Sequence, residues 1–227
     1  IWPAGREKEK NLFVGFRANF QAPAGERLRL RVTASSLYRV YLNGAFVGHG
    51  PARGPHGFYR VDEWDLTARV GSSVNLVAFE VAGYNVNSYY LLDQPSFLQA
   101  EVLAGSQVRA ATGDTNRPFF ATVLPERVQK VQRYSFQRPF SEVYRLTPNF
   151  DRWRRECQAG FTPVNCAEQE VKALLPRRVP YPDFELRPAT WLVSRGDLKT
   201  GVQVDQPWKD RSLTQISPQL GGFPERE

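Results

Sequence analysis

The chain of 227 residues is expected to be all-β: a β-sandwich followed by a mostly irregular segment with a short helix. Three observations predict it. Short alternating apolar/polar runs recur at close spacing over residues 12–112, each run ends in a Gly, Pro or Asn turn, and helical periodicity is missing throughout that stretch. Such a meander of short strands is the pattern of two facing sheets.

Taken in order, Phe13 to Phe20 places Phe16, Ala18 and Phe20 on one side and ends at Pro23-Ala24-Gly25. Leu28-Arg29-Leu30-Arg31-Val32 alternates almost perfectly, so Leu28, Leu30 and Val32 face a core while Arg29 and Arg31 face water. In Ser36 to Leu42, Tyr38, Val40 and Leu42 point one way and Leu37, Arg39 and Tyr41 the other. Asn43-Gly44 then tolerates the positive φ of a tight type I′ turn, and Ala45 to His49 runs back as the hairpin partner. That turn fixes the register and commits one face of the pair to the interior. The stretch 50–57 holds three Gly and two Pro, so it is a loop. Phe58 to Val61 is extended again, Asp65-Leu66-Thr67 marks a turn, and Val74 to Val81 has so few polar positions that both of its faces should be covered. Ser96 to Leu103, Ala104-Gly105-Ser106-Gln107 and Val108-Arg109-Ala110 form a second hairpin.

From Val128 to Tyr144 the alternation weakens. Val131, Tyr134, Phe136, Phe140 and Val143 suggest one or two further strands, with Pro139 confined to an edge. The first domain is expected to span 1–148. Residues 149–227 read as a linker with a short helix and the start of a second β domain. Asp151 to Cys157 is one candidate helix, capped by Asn149 or Asp151. The stronger one follows Asn165-Cys166-Ala167-Glu168, which has capping-box spacing, with Val171, Leu174 and Leu175 at helical intervals until Pro176. From Arg177 the chain is Pro-rich, with short apolar pieces such as Thr190-Trp191-Leu192-Val193 that suit one or two strands.

Tyr38-Arg39-Val40-Tyr41-Leu42-Asn43-Gly44 with Val47-Gly48, Asp65-Leu66-Thr67 and Asn75-Leu76-Val77-Ala78 resembles the galactose-binding-like jelly roll found ahead of the catalytic domain in several glycoside hydrolases. The wider run, with Gly50-Pro51-Ala52-Arg53, the segment Ala82 to Tyr90, and Arg138-Pro139-Phe140-Ser141-Glu142, is similar to bacterial α-L-rhamnosidase-like proteins. The resemblance implies a jelly-roll accessory domain, with the catalytic carboxylates on a downstream helical barrel. No position here matches those carboxylates, so this stretch is expected to be non-catalytic, with a downstream catalytic domain of the same polypeptide as partner. An independent carbohydrate-binding module and a protein-interaction sandwich are the alternatives, since one fold hosts many activities.

Composition narrows the remaining classes. With 41% apolar and 13% aromatic residues the chain can bury a real core. No run of 18 apolar residues exists, so no transmembrane helix and no membrane partner are expected. The opening Ile1-Trp2-Pro3-Ala4-Gly5 lacks Met and is followed by charge, which reads as processed, truncated or excised from a longer chain. A secreted or periplasmic location is the expectation. The net charge of +7 comes from scattered Lys and Arg without a nucleic-acid-binding signature, so no nucleic acid is expected. Cys157 and Cys166 could close a short disulfide loop or stay as thiols, and with only His49 and His56 beside them no zinc site is expected. No cofactor is expected; jelly rolls of this type often hold Ca²⁺, but no acidic loop here has a ligand spacing for it.

Glycoside cleavage needs two carboxyl groups roughly 5–9.5 Å apart across a sugar. The Asp62, Glu63, Asp65 cluster reads as a solvated strand end, and Glu80, on a buried strand, as the partner of an Arg. No Gly-x-Ser-x-Gly elbow and no phosphate loop is present. Sugar contact is the remaining site. Pyranose rings pair apolar faces with hydroxyl edges, which suits aromatic platforms flanked by amides and guanidinium groups. Tyr84, Asn85, Asn87, Tyr89, Tyr90 and Gln94 lie in one loop and Arg53, His56 and Tyr59 in or beside another. The competing reading is that the Tyr/Asn loop packs on a neighbouring domain or that its Asn side chains satisfy its own backbone. His49 and His56 read as hydrogen-bonded structural residues.

Overall fold

The computed structural model describes residues 1–131, 133, 137–158, 161–185 and 187–194. Strands β1 (Trp2–Pro3), β2 (Leu12–Gln21), β3 (Leu28–Ser35), β4 (Leu37–Leu42), β5 (Ala45–Gly50), β6 (Phe58–Asp65), β7 (Val74–Gly83), β8 (Phe97–Ala104), β9 (Gln107–Ala111), β10 (Phe120–Val123), β11 (Cys166–Ala167) and β12 (Ala173–Pro176) run in chain order. They form an all-β sandwich. One sheet has the order β10-β2-β7-β4-β5 and the other β12-β6-β3-β8-β9, with β1 and β11 as a separate pair. Every pairing is antiparallel except that of β12 with β6.

The core lies between the two inner faces and contains the alternation read from the sequence. Phe16, Ala18 and Phe20 meet Leu28, Leu30 and Val32, and Tyr38, Val40 and Leu42 join them. The Asn43-Gly44 turn has φ of +51° and +81°, the pair of positive values that a type I′ hairpin requires. β7 is covered on both faces as expected. Val77, Phe79 and Val81 enter the main core, while Ala78 and Ala82 belong to a second cluster with Phe13, Tyr84, Leu124, Val131, Phe140 and Trp153 on the outside of the first sheet. Gly15 on β2 is the seat for Trp153: a Cβ there would lie 2.7 Å from Leu124 Cδ2 and 2.8 Å from Trp153 Cη2.

Several expectations for the second half are corrected. Instead of strands, the described part of residues 127–144 makes isolated bridges, Arg127 with Tyr144 and Arg133 with Phe140; Tyr134 and Phe136 lie outside the described residues. The helix over 151–157 is reduced to a single 3₁₀ turn, Arg152–Arg154, with no side-chain cap from Asp151. The helix after Asn165 does not form. Its residues enter β11, paired with Trp2–Pro3, and β12, which adds to the open edge of β6. A free sheet edge offers a row of unpaired backbone groups, and satisfying them outweighs weak local helix propensity. Val171 is fully exposed and Leu174 is 42% exposed, hence the helical spacing of these side chains marks no buried stripe. Thr190 to Val193 carries no strand and is exposed. The rest of the expected connector, from residue 195, lies outside the described residues.

Residues 177–184 remain on the sandwich beyond β12. The Tyr181 hydroxyl donates to Glu63 O and accepts from Glu63 N, both at 2.8 Å, and Phe184 seats its ring against Trp64, Phe46 and His49. Cys157 and Cys166 are free thiols rather than a disulfide.

Candidate functional site

Two loops meet at one end of the sandwich. The first, 51–57, leaves β5 through Gly50, and its Gly and Pro content prevents it from continuing either strand. The second, 84–96, joins β7 to β8. Between them is a groove of about 560 Å³ with Ala34, Ser36 and Gly50 among its lining residues. Arg53 sets its guanidinium 5.2 Å from the centre of the Tyr90 ring, and the Tyr59 hydroxyl donates to Gln94 Oε1 at 3.2 Å. Tyr59 is in turn held edge-on against Phe97, with ring centres 4.7 Å apart. Desolvation at this position raises the Tyr59 phenol above its ordinary pKa, so the hydroxyl stays protonated and able to donate.

Of the residues singled out in the sequence, Arg53, His56, Tyr59, Tyr90 and Gln94 line this groove. The other four do not. Tyr84 is buried, edge-on to Phe13, and burial pushes its phenol up to about 12. Asn85 is buried at φ +47° and donates to Glu9 O (2.8 Å) and Ser96 Oγ (3.0 Å), which makes it a loop anchor. Asn87 accepts from Asp93 N at 3.0 Å and thereby ties the loop to itself, and Tyr89 projects into solvent outside the groove. His49, on the same wall, is lowered from its usual pKa by desolvation and then by Arg39 and Arg177.

Sequence reasoning missed what stands behind the groove. Asp62 is not solvated; it is fully buried. It accepts from the Tyr38 hydroxyl at 2.5 Å and from Arg177 Nη1 at 3.0 Å, and Trp64 Nε1 donates to the same Tyr38 oxygen at 3.0 Å. Burial, reinforced by the Asp62 charge, holds the Tyr38 phenol far above its ordinary range. A Cβ on Gly50 would collide with Asp62 Oδ2, so only glycine lets β5 pass this close. Arg177 also donates to Val179 O and Pro180 O, both at 2.8 Å, and lines the groove. One signal was available: Asp62 shares the inward phase of β6 with Trp64. Arg177, 115 positions away in sequence, had none.

Glu80 behaves as expected. Its carboxylate on the outer face of the first sheet lies 3.5 Å from Arg127, 3.7 Å from Arg154 and 3.9 Å from Arg39. Arg127 itself is sandwiched between the rings of Phe13 and Tyr144, at 3.6 and 4.0 Å. Both acidic positions of interest are thus engaged by arginine. Among the described residues no three His, Cys, Asp or Glu side chains converge on a metal-sized site, and no helix is long and apolar enough to cross a membrane.

No family model and no curated protein matches the chain. Among solved structures, a GH78 family rhamnosidase of Bacillus sp. GL1 superposes with a TM-score of 0.67 and 26% identity, over 80% of this chain and 20% of that one. This chain is similar to part of a GH78 rhamnosidase. It spans about a fifth of that protein's length. Lower-scoring matches include an α-L-rhamnosidase from Dictyoglumus thermophilum (TM-score 0.41, 17% identity, 50% of this chain and 14% of that one). Another is a lectin from Pleurotus ostreatus in complex with GalNAc (TM-score 0.37, 17% identity, 62% and 37%).

Proposed function

We propose that this rhamnosidase-like sandwich is a carbohydrate-related, non-catalytic region of a longer glycoside hydrolase. In this reading it braces or completes the sugar cleft of a catalytic domain on the same polypeptide, in a secreted or periplasmic enzyme. The observation that carries it is the superposition on a fifth of a GH78 rhamnosidase. The groove supports it in chemical terms. A guanidinium over a tyrosine ring, with a phenol and an amide alongside, offers a flat platform next to hydrogen-bonding groups. Asp62 and Glu80 are both held by arginine, which suits structural anchoring better than acid–base work.

The test is rhamnoside hydrolysis by the 227-residue chain, paired with calorimetry against rhamnose- and galactose-containing glycans. Background hydrolysis, with a weak groove contribution to the heats that Arg53→Ala and Tyr90→Ala remove, is the expected result. Clear turnover would overturn the reading. Tight, saturable heats from the same groove would instead make the chain a binding module in its own right.

A further inference from the structure

A second cleft lies on the outer face of the other sheet. Cross-strand register places Glu63 of β6, Arg31 of β3 and Glu101 of β8 in one row, and Arg31 bridges both carboxylates, its Nε 3.1 Å from Glu63 and its Nη1 3.4 Å from Glu101. The next outward row pairs Thr33 with Gln99. β12 and the residues after it stand along one side, so that Leu174, Leu175 and Tyr181 wall a cavity of about 670 Å³, within the range of small-molecule sites. Arg177 and Val179 line this cavity and the groove described above, and form the partition between them.

A row of surface ion pairs is commonly just a solvated face. Thr33 departs from that. It is 1% exposed, lines the cavity, and its Oγ1 has no hydrogen-bond partner. A buried hydroxyl without a partner is a standing cost, which a ligand hydroxyl reaching it would relieve. The charges identify the ligand class. Arg177 is matched by Asp62, and Arg31 together with Arg29, 3.7 Å from Glu63, balances Glu63 and Glu101, so an anion meets two carboxylates and a cation meets guanidinium groups. A neutral polyol meets neither obstacle. Carboxylates accept from its hydroxyls, the guanidinium donates to them, and the Leu174–Leu175 wall suits the C–H face of a ring.

We propose that this cleft is a second, neutral-saccharide site, independent of the Arg53–Tyr90 groove. The experiment is calorimetric titration of the full 227-residue chain with L-rhamnose, D-galactose and N-acetyl-D-galactosamine, with sulfate and spermidine as charged controls. It is run on the wild type, Arg31→Met, Glu101→Gln, Thr33→Val and, as a groove control, Tyr90→Ala. Circular dichroism confirms that each variant is folded; Arg31 and Glu101 are solvent-accessible, so their replacement leaves the core intact. At least one neutral sugar should bind saturably, with affinity lowered about tenfold or more by Arg31→Met and by Glu101→Gln and several-fold by Thr33→Val, and unchanged by Tyr90→Ala. Absence of saturable binding by any of the three sugars would overturn the proposal, as would binding that only Tyr90→Ala weakens, or binding of the charged controls alone. The second of these outcomes would sustain the groove while removing this cleft. The accessory reading is judged separately, by hydrolysis.

Discussion

Replacing Arg177 with Met would expose how much of the sandwich depends on a residue far down the chain. Asp62 is fully buried, and Arg177, with a side chain only 10% exposed, is its cationic partner at 3.0 Å. Removing the guanidinium while keeping an apolar stem leaves a buried carboxylate with the Tyr38 hydroxyl alone, a situation that costs about 3–5 kcal/mol. The loss of the bonds to Val179 O and Pro180 O adds less, because those oxygens can turn to water. Against a total stability of about 5–15 kcal/mol this is a large share, equivalent to a drop of roughly 6–20 °C in Tm for a chain of this size. Urea unfolding followed by tryptophan fluorescence is the assay, since Trp64 stacks 4.2 Å from Tyr181 and reports on this corner directly. The double variant Asp62→Asn with Arg177→Met should recover more than about 1 kcal/mol, because the stranded charge is gone. A single variant within about 1 kcal/mol of wild type, or a double variant no better than the single, would refute this account of the pair.

Three further outcomes are expected. Gly15→Ala should lower stability by about 1–3 kcal/mol in chemical denaturation, because its Cβ would meet both Leu124 and Trp153. Trp153→Ala should cost about 3–5 kcal/mol and release Phe161, whose ring packs against it, a change visible in the aromatic NMR signals. Glu126 is raised above its usual 4.5, chiefly by burial, so the fold binds its proton more tightly than the unfolded chain does. The stability this contributes is complete below pH 4.5 and is lost as pH rises through the folded value. Glu126→Gln should therefore gain on the wild type between acid and neutral pH, as read from urea midpoints at each pH.

The first half of the fold was legible because alternation, turn chemistry and register agree there. Asn43-Gly44 fixes the register of β4 against β5, and alternation divides β4 into two faces, of which Tyr38, Val40 and Leu42 turn inward. The second half was not, because long-range geometry decides it. Leu174 and Leu175 carry a helical spacing, yet they are extended because β6 has an edge to fill. For the candidate groove, the two loops could be identified by composition and do meet. Tyr84 and Asn85 look like contact residues in the sequence because a loop rich in Tyr and Asn reads as polar. Only the fold shows that the chain first dips inward, burying both, before it surfaces at Asn87. Asp62 was hidden by its neighbours Glu63 and Asp65, which do face water and make the whole cluster look solvated.

The parallel pairing of Ala173–Pro176 onto Phe58–Val61 also bears on how the molecule is made. During synthesis the sixth strand emerges more than a hundred residues before the strand that closes its flank and the guanidinium that neutralises Asp62. Until then the nascent sandwich waits with an open seam and an unmatched charge, a long-range closure of the kind that makes β topologies slow to complete. Cutting the chain at residue 148, where its composition shifts, would make that waiting state permanent. Any excised version of this unit should extend past Phe184 if it is to close.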